Sequence, residues 1–208
     1  MPLADTLTNY RANISQCIQN LNIAFTTDAA GAYIYSQPQR DFIIESSFLK
    51  FFISWENFLE NSFLDFLLGE PSIKGTVIRR HAIPVDRSHA HKILIGTQKY
   101  VDWANPEIVR RLSKLYFDNT NPIETIISSI QTDIFDLKTI RNAAAHISST
   151  TSHEIDALAT RKLRRQCINF TVSQLILAFD PVAAVNTQTF LTTYTNLLDA
   201  AADNIANA

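Results

Sequence analysis

The segment from Arg40 to Leu68 limits the fold more than any other stretch, because it is a long predicted helix that is unusually rich in aromatic residues. Its apolar residues recur at helical spacing and cover more than one face. They are Ile44, Phe48, Phe51, Phe52, Trp55, Phe58, Leu59, Phe63, Phe66 and Leu67. Such a helix packs on two sides. A partner subunit is a natural source of the second contact, and the alternative is a central helix surrounded by its own chain.

Five further segments have helical spacing, and together with the first they predict an all-α bundle of about six helices. These segments are residues 3–25, 107–117, 122–148, 151–179 and 187–205. We expect Thr151 and Glu154 to cap the fourth of them. Residues 70–106 contain Gly75, Gly96, Ile83-Pro84 and Asn105-Pro106, which predict an irregular insertion. The chain has 208 residues with only four glycines, and we predict one domain over residues 1–208.

Charge and cysteine content restrict the function and the compartment. The net charge of −2 excludes a globally basic protein, so a nucleic-acid surface must be built from clustered Arg and Lys. Cys17 and Cys167 form no metal or redox motif, and we expect two buried thiols. No signal peptide is recognisable, and no apolar run reaches the roughly 20 residues needed to span a bilayer. We expect a cytoplasmic protein without a membrane partner.

One arginine interrupts the apolar stripe of the predicted helix 122–148. At about 100° per residue, Arg141 falls at nearly the same angle as Ile123 and Ile134. A guanidinium in an apolar stripe requires a carboxylate, a subunit boundary or an anionic ligand. Arg141 is therefore a candidate functional residue.

Asn142 and His146 follow Arg141 and share a helix face, because they are four residues apart. Arg141 and His146 are roughly 140° apart on an ideal helix. The helix is distorted there, or the long Arg side chain reaches around, or a second copy of the helix completes the site across a two-fold axis. The small residues Ala143, Ala144 and Ala145 permit such a close approach.

The motif Arg141-Asn-Ala-Ala-Ala-His146 resembles the Arg-x4-6-His motif of the HEPN superfamily. Three other segments are similar to prokaryotic HEPN nucleases of toxin–antitoxin and defence loci, in the RiboL-PSP-HEPN-like branch. They are Trp55-Glu56-x-Phe58-x-Glu60, residues 100–106 and residues 136–142. The resemblance covers roughly residues 40 to 180. It implies a HEPN-type helical bundle, a homodimer, a composite active site at the dimer cleft and metal-independent RNA cleavage by the ribose 2′-hydroxyl.

The chemistry of these side chains suits that reaction. We assign His146 as general base or acid, Arg141 as phosphate clamp and Asn142 as the orienting residue, because imidazole exchanges protons near neutral pH and guanidinium stabilises phosphate charge. Glu56 and Glu60 are supporting candidates: one of them pairs with Arg141, or both lie at a partly wet helix edge. No cofactor is expected.

The insertion carries a local basic patch, in which Arg79, Arg80, Arg87 and Lys92 are candidate RNA contacts. The alternative is a solvated loop. Its histidines lack completing ligands, so we expect no metal site. We expect the basic run 161–165 on the later helix to be a solvated face.

Two functions compete. The first is an RNA endonuclease, a toxin or defence effector restrained by an antitoxin or another regulatory protein. The second is a non-catalytic dimeric HEPN module that binds a protein or a nucleotide. The intact pair of Arg141 and His146 favours the first.

Overall fold

The computed structural model describes residues 2–119, 121–146, 148–183 and 187–208, and its regular elements are helices. Only three isolated β-bridges occur within those ranges. The prediction of an all-α fold is therefore confirmed. The helices are α1 (Leu3–Ile23), α2 (Gln37–Leu68), α3 (Arg87–Ile95), α4 (Pro106–Tyr116), α5 (Pro122–Ser129), α6 (Gln131–Ala145), α7 (Ser149–Leu163), α8 (Val172–Leu177) and α9 (Phe190–Ala206).

The predicted count of about six helices is wrong, since nine form in the described part of the chain. The predicted helix 122–148 begins at Pro122 with Asn121 as its cap, as expected. It is interrupted at Ile130, which ends α5. The Ser129 hydroxyl donates to the Ile126 carbonyl at 2.7 Å and so competes with the helical hydrogen bonds of the last turn. The helix then ends at Ala145, and Ile147 lies outside the described residues.

The predicted helix 151–179 is also divided, into α7 and α8. Arg164 adopts left-handed backbone angles and ends α7. The Thr160 hydroxyl then accepts a hydrogen bond from the Cys167 N–H at 3.0 Å. The Asp156 carboxylate accepts from the Asn169 and Phe170 N–H groups at 3.1 and 2.7 Å. These long-range bonds satisfy the backbone without a helix, and no Gly or Pro in the segment predicts them.

The chain groups into two compact units, each built from separate segments. Unit 1 comprises Met1–Arg11, Trp55–Phe135 and Leu198–Ala208. Unit 2 comprises Ala12–Ser54 and Asp136–Leu197. The expectation of a single domain stays a prediction.

Unit 1 has an aromatic core. The Trp55 and Phe58 rings stack at 5.8 Å between centroids, and Tyr10 lies 5.1 Å from Phe58. Phe63 contacts the Trp103 ring and, at 4.9 Å, the Phe117 ring. Helix α4 packs against α5 beside this cluster. Each such ring buries a large apolar surface, so this cluster contributes strongly to the hydrophobic stabilisation of the unit.

The insertion at 70–106 contains a regular element and contributes to this core. Asp86 caps α3 by accepting from the His89 N–H. Ala90 and Leu94 of α3 are buried, as are Ile78 and Trp103 on either side. The insertion is therefore partly packed into the core of unit 1, whereas Arg79 and Lys92 of its basic patch are exposed.

Unit 2 combines residues of α2 and α6 with α7 and α8, and a buried carboxylate joins two of these helices. Asp136 of α6 pairs with Arg161 at 2.5 Å and with Lys162 at 2.8 Å. Burial alone would lower the pKa of Lys162, but the hydrogen bond to Asp136 raises it above its usual range. The basic run is thus not simply a solvated face, because Lys162 is largely enclosed.

All the apolar residues that predict two-sided packing of α2 are buried within the single chain. They therefore fit the alternative, a central helix surrounded by its own chain, and the homodimer stays a prediction that needs other support. Cys17 and Cys167 are free and buried, as expected. In the described part of the chain, no helix combines the length and apolarity required to cross a bilayer.

Candidate active site at the end of helix α6

Arg141 and Asn142 occupy the last turn of α6 and contact each other. Both residues are partly exposed. The Arg141 Nη1 donates to the Asn142 Oδ1 at 3.2 Å. Ile134 and Ile140 on the same helix are fully enclosed. The Nε of Arg141 is also buried, although the residue as a whole is partly exposed. Long basic side chains commonly pack the stem while the charged end reaches toward solvent.

His146 is the first residue after α6, and its side chain is exposed. Its backbone is held on both sides. The N–H donates to the Asn142 carbonyl at 2.9 Å, which continues the helical pattern. The carbonyl accepts from the Thr151 hydroxyl at 2.7 Å. The imidazole is thus attached to a hydrogen-bonded backbone and is exposed to solvent. This arrangement is suited to proton transfer.

A reciprocal cap begins α7 immediately after this turn. The Ser148 hydroxyl accepts from the Thr151 N–H at 3.2 Å, and the Thr151 hydroxyl accepts from the Ser148 N–H at 3.1 Å. The predicted cap of Thr151 and Glu154 is wrong by one turn, because Ser148 is the N-cap residue. Thr151 therefore connects the start of α7 to His146.

A cleft of about 310 Å³ lies beside this turn within unit 2. It is bounded by the end of α6, the first turns of α7, the segment before α8 and one residue of α2. The lining residues are Glu45, Ala143, Thr151, Ser152, Ile155, Asn169, Phe170, Thr171 and Val172. Because Thr151 lines the cleft and also donates to the His146 carbonyl, a ligand in the cleft would lie close to the His146 backbone.

Glu45 places a carboxyl in this cleft, and it was not among the residues predicted from the sequence. Its Oε1 accepts a long hydrogen bond of 3.4 Å from the Ser173 N–H, while Asp41 accepts from the Ser173 hydroxyl at 2.6 Å. Burial, reinforced by the Asp41 carboxylate, raises the pKa of Glu45, and the Ser173 N–H only partly offsets this rise. The available signal was the spacing of Asp41 and Glu45, which puts two carboxylates on one helix face.

The supporting carboxylates lie in unit 1. Glu60 accepts from the His91 Nε2 at 2.9 Å, so α3 supplies a partner for it. Glu56 is partly exposed on α2. Of the two alternatives for Glu60, a place at a partly wet helix edge fits these contacts, because 28% of its side chain is exposed.

Two of the predicted RNA-contacting arginines have partners within unit 1. Arg87 donates to the Asp65 and Asn61 side chains, both at 2.6 Å. Arg80 donates to the Leu67 carbonyl at 2.9 Å and so satisfies the C-terminal end of α2. Gly69 lies directly against the Arg80 guanidinium, where a Cβ would come within 2.3 Å of the Nη1. These contacts give both guanidinium groups a structural role.

Arg79 and Lys92 are exposed and remain predicted RNA contacts. The insertion histidines have separate partners, since the His89 Nδ1 accepts from the Val85 N–H and His91 pairs with Glu60. Across the described ranges, no group of three His, Cys, Asp or Glu residues is arranged to hold a metal ion.

Comparisons with known proteins return no match: neither a family model, nor a curated protein, nor a solved structure is similar to this chain.

Proposed function

We propose that this chain is a metal-independent RNA endonuclease of the HEPN type, a cytoplasmic homodimer that acts as a toxin or defence effector. One observation carries the proposal. The exposed imidazole of His146 stands on a backbone that is hydrogen-bonded on both sides, directly after the contact between Arg141 and Asn142. A proton-transferring group and a phosphate-binding group thus occupy one helix end.

The chemistry follows from these groups. An imidazole removes the proton of a ribose 2′-hydroxyl, whose oxygen attacks the adjacent phosphorus. The bond from phosphorus to the 5′ oxygen breaks, and a second imidazole returns a proton to that oxygen. The guanidinium stabilises the charge on the non-bridging oxygens. The products are a 2′,3′-cyclic phosphate and a 5′-hydroxyl.

The second imidazole belongs to His146 of the partner subunit in this proposal. Ala143 and Ala144 are partly exposed and Ala145 is exposed in the single chain. Small side chains let two helices approach more closely than large ones do. A two-fold axis along this face would bring two copies of the motif together. We also propose that a regulatory protein, such as an antitoxin, restrains the activity.

The test is incubation of the full chain with total RNA in EDTA, beside His146→Ala. We expect the wild type to cleave RNA and to leave cyclic phosphate ends, and the variant to lose most of the activity, because removal of a general acid or base costs about 10²–10⁴-fold. Equal cleavage by both proteins would remove His146 from the site.

The pairing of Arg80 and Arg87 within unit 1 favours a second candidate, the non-catalytic module, since it leaves fewer cations for RNA. The same assay separates the two functions. A dimeric wild-type protein that leaves RNA intact in EDTA supports the module and contradicts the nuclease.

A further inference from the structure

The cleft beside the α6–α7 turn combines apolar and polar walls. Ala143, Ile155, Phe170 and Val172 supply apolar surface, and the hydroxyl, amide and carboxyl groups come from the other lining residues. Its volume of about 310 Å³ is in the range of sites that take small organic groups. A planar aromatic ligand with a polar edge matches both kinds of wall.

Glu45 is the charged residue of this lining. Among the described residues, its Oε1 accepts only the long bond from Ser173, and no hydrogen bond engages its Oε2. A half-buried carboxylate with so little hydrogen bonding lacks the donors that it had in water. A ligand that brings two adjacent N–H groups would replace them.

We propose that this cleft binds a guanine base of the RNA substrate, with the Glu45 carboxylate accepting hydrogen bonds from the guanine N1–H and N2–H groups. Guanine is the RNA base that presents two adjacent N–H donors on its Watson–Crick edge. Proteins that recognise single-stranded RNA read this edge by hydrogen bonds and stack the base on aromatic side chains. Phe170 provides the ring for such a contact.

The wall that carries Phe170 is well supported. Asp156 accepts from the N–H groups of Asn169 and Phe170, which holds this segment in place. Asn169 has a φ of 55°, in the left-handed region, which asparagine adopts more readily than most other residues with a side chain.

The inference rests on the proposed ribonuclease function, because a base in the cleft would place its ribose and phosphate beside the turn that carries His146. Thr151 lines the cleft and donates to the His146 carbonyl. A cleft that prefers guanine would therefore determine which nucleotide lies at the cleaved bond.

The test is calorimetric titration of the full chain with 5′-GMP and with 5′-AMP, for the wild type, Glu45→Gln and Glu154→Gln. Glu154 is an exposed residue of α7 and serves as the matched control. We expect the wild type to prefer GMP, and Glu45→Gln to bind GMP about 10-fold more weakly or worse, as for loss of a bidentate base contact. Binding of AMP should change little, and Glu154→Gln should behave as the wild type.

Equal affinity for GMP and AMP in the wild type, no binding at millimolar GMP, or equal GMP affinity in Glu45→Gln and the wild type would each overturn the inference. Phe170→Leu supplies an independent variant. Its affinity for both nucleotides should fall about fivefold or more, because the stacking contact is lost. Unchanged affinity of Phe170→Leu for both nucleotides would contradict the assignment of Phe170 as the ring that stacks on the base.

The two proposals fail separately. Preferential binding of GMP by a wild-type protein that leaves RNA intact contradicts the ribonuclease and supports the base site. Cleavage of RNA with no preference for GMP and no bias toward guanosine at the cut supports the ribonuclease and overturns the base site.

Discussion

The insertion at 70–106 and the C-terminal end of α6 both carry basic residues, but the surroundings of these side chains differ. In the insertion, Arg87 is bonded to the buried Asp65 and Arg80 to the end of α2. At the end of α6, Arg141 contacts the neighbouring Asn142 at a partly exposed position. The imidazole of His146 is exposed, and its carbonyl accepts from Thr151, which lines a cleft.

The difference shows that local charge density is a weak guide to a binding surface. Arg87 neutralises a carboxylate that is fully enclosed, and removal of one member of such a pair leaves an uncompensated charge. A site that acts on a ligand instead requires groups that reach solvent from a well-ordered backbone. The exposed imidazole of His146, on its hydrogen-bonded backbone, meets this requirement, and much of the insertion serves the stability of unit 1.

The largest expected effect comes from Arg141→Ala. We predict that the rate of RNA cleavage falls about 10²–10³-fold, the usual cost of removing one donor that stabilises transition-state charge. Arg79→Ala, an exposed arginine of the insertion, is the control and should lower the rate by less than about 5-fold. Cleavage rates on one labelled RNA measure both. A larger loss for Arg79→Ala would reverse the comparison between the regions.

The opposite pattern is expected for stability. Arg87→Ala should lower the free energy of unfolding by about 3 kcal/mol, because Asp65 remains buried without its guanidinium partner. Arg79→Ala should change it by less than about 0.5 kcal/mol. Urea unfolding of both variants measures these values. A stable Arg87→Ala protein with impaired RNA binding would instead assign Arg87 to the RNA surface.

The smallest effect concerns the cleft. Since the pKa of Glu45 is raised by burial, its ionisation costs stability at neutral pH, and this cost disappears as the pH falls below the ordinary value of 4.5. Glu45→Gln should therefore melt a few degrees above the wild type at pH 7 and together with it at pH 4. Thermal unfolding at the two values measures the difference, and a destabilised variant at pH 7 would show that the carboxylate is well solvated or paired.

Helical periodicity predicted the parts of the fold where it is uninterrupted. Helices α1, α2, α4 and α9 lie close to their predicted bounds. The interruptions at Ile130 and Arg164 escaped prediction. After Arg164, the Asp156 carboxylate accepts from N–H groups 13 and 14 residues away, which no local pattern contains. At Ile130 a serine hydroxyl bonds to its own helix, but similar hydroxyl bonds leave α1, α2 and α9 unbroken, so the sequence pattern alone does not predict the break.

The candidate site residues Arg141, Asn142 and His146 were predicted from a charged residue that interrupts an apolar stripe and from the motif that it begins, and both signals are local. The roles of Arg80 and Arg87 were not visible, since their partners lie 13 and 22 residues away. Glu45 was missed because the cleft is assembled from four separate segments, and only the folded chain brings them together.

The most direct measurement compares the cleavage rates of His146→Ala and His153→Ala on one defined RNA in EDTA. Both imidazoles are exposed, and only seven positions separate them along the chain. Loss of at least about 100-fold in His146→Ala, with His153→Ala close to the wild type, is the predicted result. Equal rates for the two variants, with both proteins folded, would contradict a catalytic role for the end of α6.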